Sequence, residues 1–131
     1  MKIKALIFPF LMFLPSLILL KYSFADVKIE VVPLIQTSKG LSGESFNYLE
    51  GEPELRLLKV KIPEGLKTPI HKHPSPMLIH VTRGKLKHVR GRVINTFRAG
   101  DVFVESNNGG EHYVQSIGKN LQFFMLVLFQ L

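Results

Sequence analysis

The sequence predicts an all-β domain closed into a sandwich or barrel. Three observations predict it. Short runs alternate apolar with polar residues, turn residues separate those runs at close spacing, and no stretch after residue 26 carries a sustained helical period with caps. A chain of 131 residues has room for one domain, and its hydrophobic and charged fractions, 46% and 21%, suit a protein that buries a core.

Residues 27–34, rich in Val and Ile, are the first strand candidate, and 37–51, with several Gly and Ser, reads as an irregular connection. In 54–62, Leu58, Val60 and Ile62 alternate with Lys59 and Lys61, the period of a half-buried strand. Pro63-Glu64-Gly65 punctuates the chain, which resumes through 68–73. Pro74 and Pro76 then bracket Ser75 in a turn that no regular strand tolerates. Strands follow at 77–83, 86–90 and 93–97, separated by Gly84 and by the Arg90-Gly91-Arg92 reversal. Ala99-Gly100-Asp101 leads into 102–105, and Asn107-Asn108-Gly109-Gly110 is the strongest loop signal of all. Strand candidates 112–117 and 121–131 close the chain around the turn Gly118-Lys119-Asn120. The last run, LQFFMLVLFQL, is too short to span a bilayer, which needs about 20 residues, and its composition suits a buried strand.

The first 25 residues read as an export signal. Lys2 and Lys4 give a positive start, residues 5–20 are an apolar run interrupted by Pro9 and Pro15, and Ser23-Phe24-Ala25 places small residues where a signal peptidase inspects them. Removal after Ala25 leaves 26–131 as the mature domain, exported to the periplasm or outside the cell, with no stable membrane insertion. The rival reading, an uncleaved anchor, is disfavoured by the length of the run. The chain has no cysteine, which excludes disulfides, thiol catalysis and zinc–thiolate sites. Lys and Arg number 17 against 10 Asp plus Glu, and three of the lysines lie in the signal. The mature domain therefore keeps a mild basic excess.

Among five histidines, His71 and His73 stand two apart. Residues two apart on a strand point to one face, so both imidazoles can aim at one point, as a metal ion requires. A solvated surface pair has the same pattern. The surroundings are more specific. Gly65 lies six residues before His71, Pro74 follows His73, and Gly84 lies eleven after His73. Further on, Ala99-Gly100-Asp101 opens a strand, a Gly-containing loop follows, and His112 stands twelve residues after Gly100.

This pair of motifs, in order and in register over residues 58 to 128, resembles the two conserved motifs of the cupin superfamily. The resemblance implies a double-stranded β-helix, the RmlC-like jelly-roll barrel, with one divalent metal inside. Carried over by position, the ligands are His71, His73 and His112, and the metal is iron, zinc, copper, nickel or manganese. The motif also departs from the family pattern. Met77 stands where the family's Glu ligand falls, Ser106 where Pro is usual, and Ser116 where Asn is frequent. The lost carboxylate removes charge and an oxygen donor, yet three imidazoles still suffice for a borderline cation and leave positions open.

Two residues are weighed as substitutes for that Glu. Met77 shares a face with Ile79 and Val81, so its soft thioether points inward, where filling the core is the expected role and ligating cuprous copper the alternative. Glu105, seven residues before His112, is a candidate ligand or general base, but an outward solvated carboxylate is the ordinary expectation for Glu. No other catalytic residue is identified. His80 and Glu111, on the opposite parity from Met77 and His112, are expected to face away. Arg83, Lys85, Lys87, His88, Arg90 and Arg92 form a basic hairpin with no interleaved aromatic residue. It reads as solvated, not as a nucleic-acid surface, and able to steer anions.

Three functions remain open: a metal-dependent enzyme acting on a small molecule by oxygenation, isomerisation or decarboxylation; a non-catalytic metal or small-ligand binding module; and a metal-free structural barrel. Pairing into a homodimer is expected from the resemblance.

Overall fold

The structure, a computed structural model, describes residues 29–48 and 50–130. The expected export signal lies outside the described residues. The chain divides into two units, Met1–Val31 and Val32–Leu131, and every strand belongs to the second.

Seven antiparallel strands occur among the described residues: β1 Pro53–Ile62, β2 Met77–Arg83, β3 Lys85–Arg90, β4 Val93–Arg98, β5 Val102–Glu105, β6 Tyr113–Ser116 and β7 Leu121–Gln130. They form two sheets, in the orders β1-β7-β2-β5 and β4-β3-β6. The alternation read from the sequence sets which residues go inside. On β1 and β7 the register joins Ile62 to Leu121 and Val60 to Phe123 across the sheet, and on β2 Met77, Ile79 and Val81 share the same inner face. Leu86 and Phe103 reach this core from β3 and β5, with Phe97 and Phe103 stacked at 3.9 Å between ring centres. Burial of these side chains contributes roughly 1.5–3 kcal/mol each before entropy is counted.

The final hydrophobic run is strand β7, flanked on both sides by β1 and β2. Strand β6 is extended beyond its end by residues 65–71, which run beside it. Isolated bridges join Lys67 to Gln115 and His71 to His112, the latter through reciprocal backbone hydrogen bonds of 2.9 Å. Residues 29–34 carry no strand, contrary to expectation for the described part of 27–34. Pro33 interrupts that run and removes a ladder donor. The 37–51 connection is irregular as expected apart from one bridge, Lys39 to Ser45. It docks on the β5 edge through Leu41 N–H donating to the Val104 carbonyl, 2.9 Å.

The motif glycines make the corners. Gly84, between β2 and β3, has φ +79°, and a Cβ there would lie 2.8 Å from the Leu121 Cα, so only glycine lets β7 pass this close.

Candidate metal centre

His71 and His112 come together because the backbone bridge between them puts both on the same rung of the extended second sheet. Pro74 ends the extended run, and His73 turns in from the residue just before it. The ring centres stand 5.0 Å apart for His71 and His73, 4.6 Å for His71 and His112, and 4.9 Å for His73 and His112. The three rings come together, but strand parity is not what aligns the first pair, since only His71 of it lies on the ladder.

The hydrogen bonds assign the ring nitrogens. His71 Nδ1 lies 2.9 Å from the Pro69 carbonyl and His112 Nδ1 lies 3.3 Å from the Gly110 carbonyl. A carbonyl only accepts, so in both rings Nδ1 carries the proton and Nε2 keeps its lone pair. The His73 and His112 Nε2 atoms face each other at 3.2 Å. His112 Nε2 faces His73 with its lone pair, so a proton on His73 Nε2 or a cation lies between the two. Zinc–nitrogen bonds of about 2.0–2.1 Å at a tetrahedral angle would hold two nitrogens about 3.3 Å apart. The donor set thus fits a borderline divalent ion, and ligand atoms of His71, His73 and His112 all lie within 4.8 Å of one another. Burial, reinforced by the neighbouring His112, pushes the His73 imidazole down to about 4, and burial lowers His112 as well. Both rings are therefore ready to ligate at neutral pH.

Glu105 is 2% exposed, so the expectation of a solvated carboxylate is corrected. Its facing is set by β5 pairing with β2, where it lies directly across from Met77, the position at which the resemblance implies an acid. One oxygen, Oε1, lies in close ion-pair contact with His88 Nε2 at 2.6 Å, without the alignment of a hydrogen bond, and the other accepts from Arg90 Nη2 at 2.7 Å. Burial alone would raise this carboxyl, but the close His88 imidazole and the positive charge around it hold it below the usual carboxylate range. With both oxygens engaged, Glu105 flanks the centre as a clamped anion.

The solvated-hairpin reading is corrected for two of its members. His88 is fully buried and stacks on His112, with ring centres 4.5 Å apart and planes 26° from parallel. Arg90 is largely buried and holds Glu44 as well as Glu105. The inward row Leu86, His88, Arg90 has strand parity, but its basic setting masked it. His88, Glu105 and His112 also cluster closely enough to suggest ligands, yet parallel rings do not aim their nitrogens at a common point. His88 is better described as the support that orients His112.

Met77 is 7% exposed and packs in the core as expected. It also borders a cavity of about 120 Å³ that opens beside His71, His73 and His112. Glu105 lines the same cavity, and its other walls are mainly apolar. His80 lies on the opposite face of β2, opposite Phe124, and Glu111 is exposed, as their parity predicts. The two serine departures have structural roles: Ser106 Oγ accepts from Asn108 N–H and donates to the Ser45 carbonyl, and Ser116 Oγ donates to the Gly118 carbonyl.

No family model matches the sequence, and no curated protein matches it. Solved structures do resemble it. The DMSP lyase DddQ from Ruegeria pomeroyi is 22% identical over 59% of this chain and 39% of its own, with a TM-score of 0.52. The Cnp3 cupin domain of Schizosaccharomyces pombe is 20% identical over 63% of this chain and 62% of its own, at 0.51. An RmlC-like cupin from Shewanella frigidimarina is 20% identical over 57% of this chain and 66% of its own, also at 0.51. The chain thus spans about two fifths of the lyase and under two thirds of the Cnp3 domain. What they share with it is architecture, and the two antiparallel sheets of this chain have the jelly-roll fold of those cupin structures.

Proposed function

We propose that this chain is an exported metal-dependent cupin enzyme acting on a small molecule. In this reading residues 1–25 are the export signal, and 26–131 work in the periplasm or outside the cell. His71, His73 and His112 would hold a divalent transition ion through their Nε2 atoms. A bound ion would supply Lewis acidity toward an oxygen of the substrate. The chain's own residues would do the rest. The Pro69 and Gly110 carbonyls fix the two tautomers, His88 supports His112, the apolar cavity walls exclude water, and ionised Glu105 lines the space the substrate would occupy. The reading rests most on one observation, the two Nε2 atoms facing each other at 3.2 Å.

A binding module without chemistry is the second reading. It is favoured by the ion-pair contacts of both Glu105 oxygens, with His88 and Arg90, which tie up the carboxylate beside the cavity. Elemental analysis of protein purified without a histidine tag tests what both readings share. About one equivalent of transition metal is expected, and H71A/H73A should abolish it. Stoichiometric metal in that variant would defeat the assignment. A turnover screen of the metal-loaded protein against small oxygen-containing molecules, with H71A/H73A as the control, then separates enzyme from binder.

A further inference from the structure

A coordinating imidazole is neutral, because its lone pair makes the bond. Three such ligands bring no negative charge to a divalent ion, and nearby residues offset its charge only in part. Met77 contributes no charge where a carboxylate would stand. Glu105, the nearest anion, spends its charge on His88 and Arg90 at 2.6 and 2.7 Å. The adjoining walls, formed mainly by Val60, Ile79, Leu86, Phe103, Phe123 and Met125, are apolar, and the Thr68 hydroxyl among them carries no charge. Uncompensated charge beside an apolar cavity is costly.

The cavity limits what can bring the missing charge. At about 120 Å³ it is somewhat smaller than the ~150 Å³ apolar cavity that accepts benzene. We infer that the ligand of this centre is a compact monoanion with an apolar body, a short branched carboxylate being the type, whose oxygens take the place that Met77 leaves vacant. The inference rests on the metal reading above and names the class of molecule that the site takes.

The test uses wild-type protein loaded with Co(II), whose visible bands report changes at the ligands. Isobutyrate, the uncharged isostere isobutyramide and the oversized 2-naphthoate are titrated in turn, and thermal unfolding is followed in parallel. Isobutyrate should shift the bands, raise the unfolding temperature and bind at least ten-fold tighter than isobutyramide, while 2-naphthoate leaves both signals unchanged. If isobutyramide matches isobutyrate, or 2-naphthoate binds as well as isobutyrate, the ligand class is wrong while the metal centre stands. If isobutyrate leaves the bands unchanged, the ligand class fails in the same way. If no Co(II) bands form, or they persist in H71A/H73A, the metal reading itself fails and the ligand class falls with it.

Discussion

At the scale of single residues, the protonation of His73 yields a direct prediction. Its imidazole titrates at about 4 in the folded chain and near 6.5 when unfolded. Between those values the unfolded chain binds more protons. Stability of the metal-free protein is therefore full above about pH 6.5, falls as the pH drops toward 4, and levels off below that. The ring is partly solvated, so the loss is on the order of 1–2 kcal/mol. Urea melts across this range should show the slope in wild type and a shallower one in His73→Phe; equal slopes would contradict the shift. Arg90 makes a second case. Arg90→Met leaves Glu105 buried with one partner fewer and should cost about 2–3 kcal/mol in urea denaturation, where an exposed arginine costs under 1. The sequence showed the three histidines because their spacing against Gly65, Gly84 and Gly100 is specific. It did not show His88, and it named Glu105 as a candidate while expecting it to face solvent. A basic hairpin looks solvated until a buried acid is placed against it, and the glycine-rich loop at 107–110 hid which way Glu105 faces.

Among the elements, all seven strands were legible to within a residue at each end, from Ile62 on β1 to Leu121 on β7, because turn residues separate short apolar-rich runs. Residues 29–34 had the composition of a strand but none of the pairing, which composition cannot reveal. The route of residues 65–71 beside β6 was also hidden, since a few long-range backbone bonds make it. The glycine corners can be tested as a pair. Gly65 and Gly84 both have φ +79°, but a Cβ at Gly65 meets nothing within 4 Å, whereas one at Gly84 meets the β7 backbone. Gly65→Ala should therefore cost only the left-handed term, roughly 1–2 kcal/mol. Gly84→Ala should cost more, about 3 kcal/mol or above, because backbone must also move. Equal losses in thermal melts would show that β7 yields freely at this corner.

For the whole molecule, closure of two sheets around a polar cluster makes stability and metal binding one equilibrium. A ligand present at 100 times its dissociation constant adds about 2.7 kcal/mol, so zinc should raise the unfolding temperature and a chelator should reverse the rise. Outside the barrel, Leu57 on β1, Leu126 on β7 and Leu78 on β2 lie side by side across the outer face of the first sheet, with Leu55 and Leu128 paired beside them. We propose that the chain pairs as a homodimer over this face; sedimentation should find a dimer that L55K/L57K dissociates, and a monomeric wild type would refute it. The central claim is that three imidazoles and no protein carboxylate hold the metal. X-ray absorption on the zinc-loaded protein tests it most directly. The account predicts three imidazole nitrogens at about 2.0–2.1 Å, with the remaining ligand exchangeable for added isobutyrate. A shell with fewer than three imidazoles, or one that loses an oxygen ligand in Glu105→Gln, would contradict it.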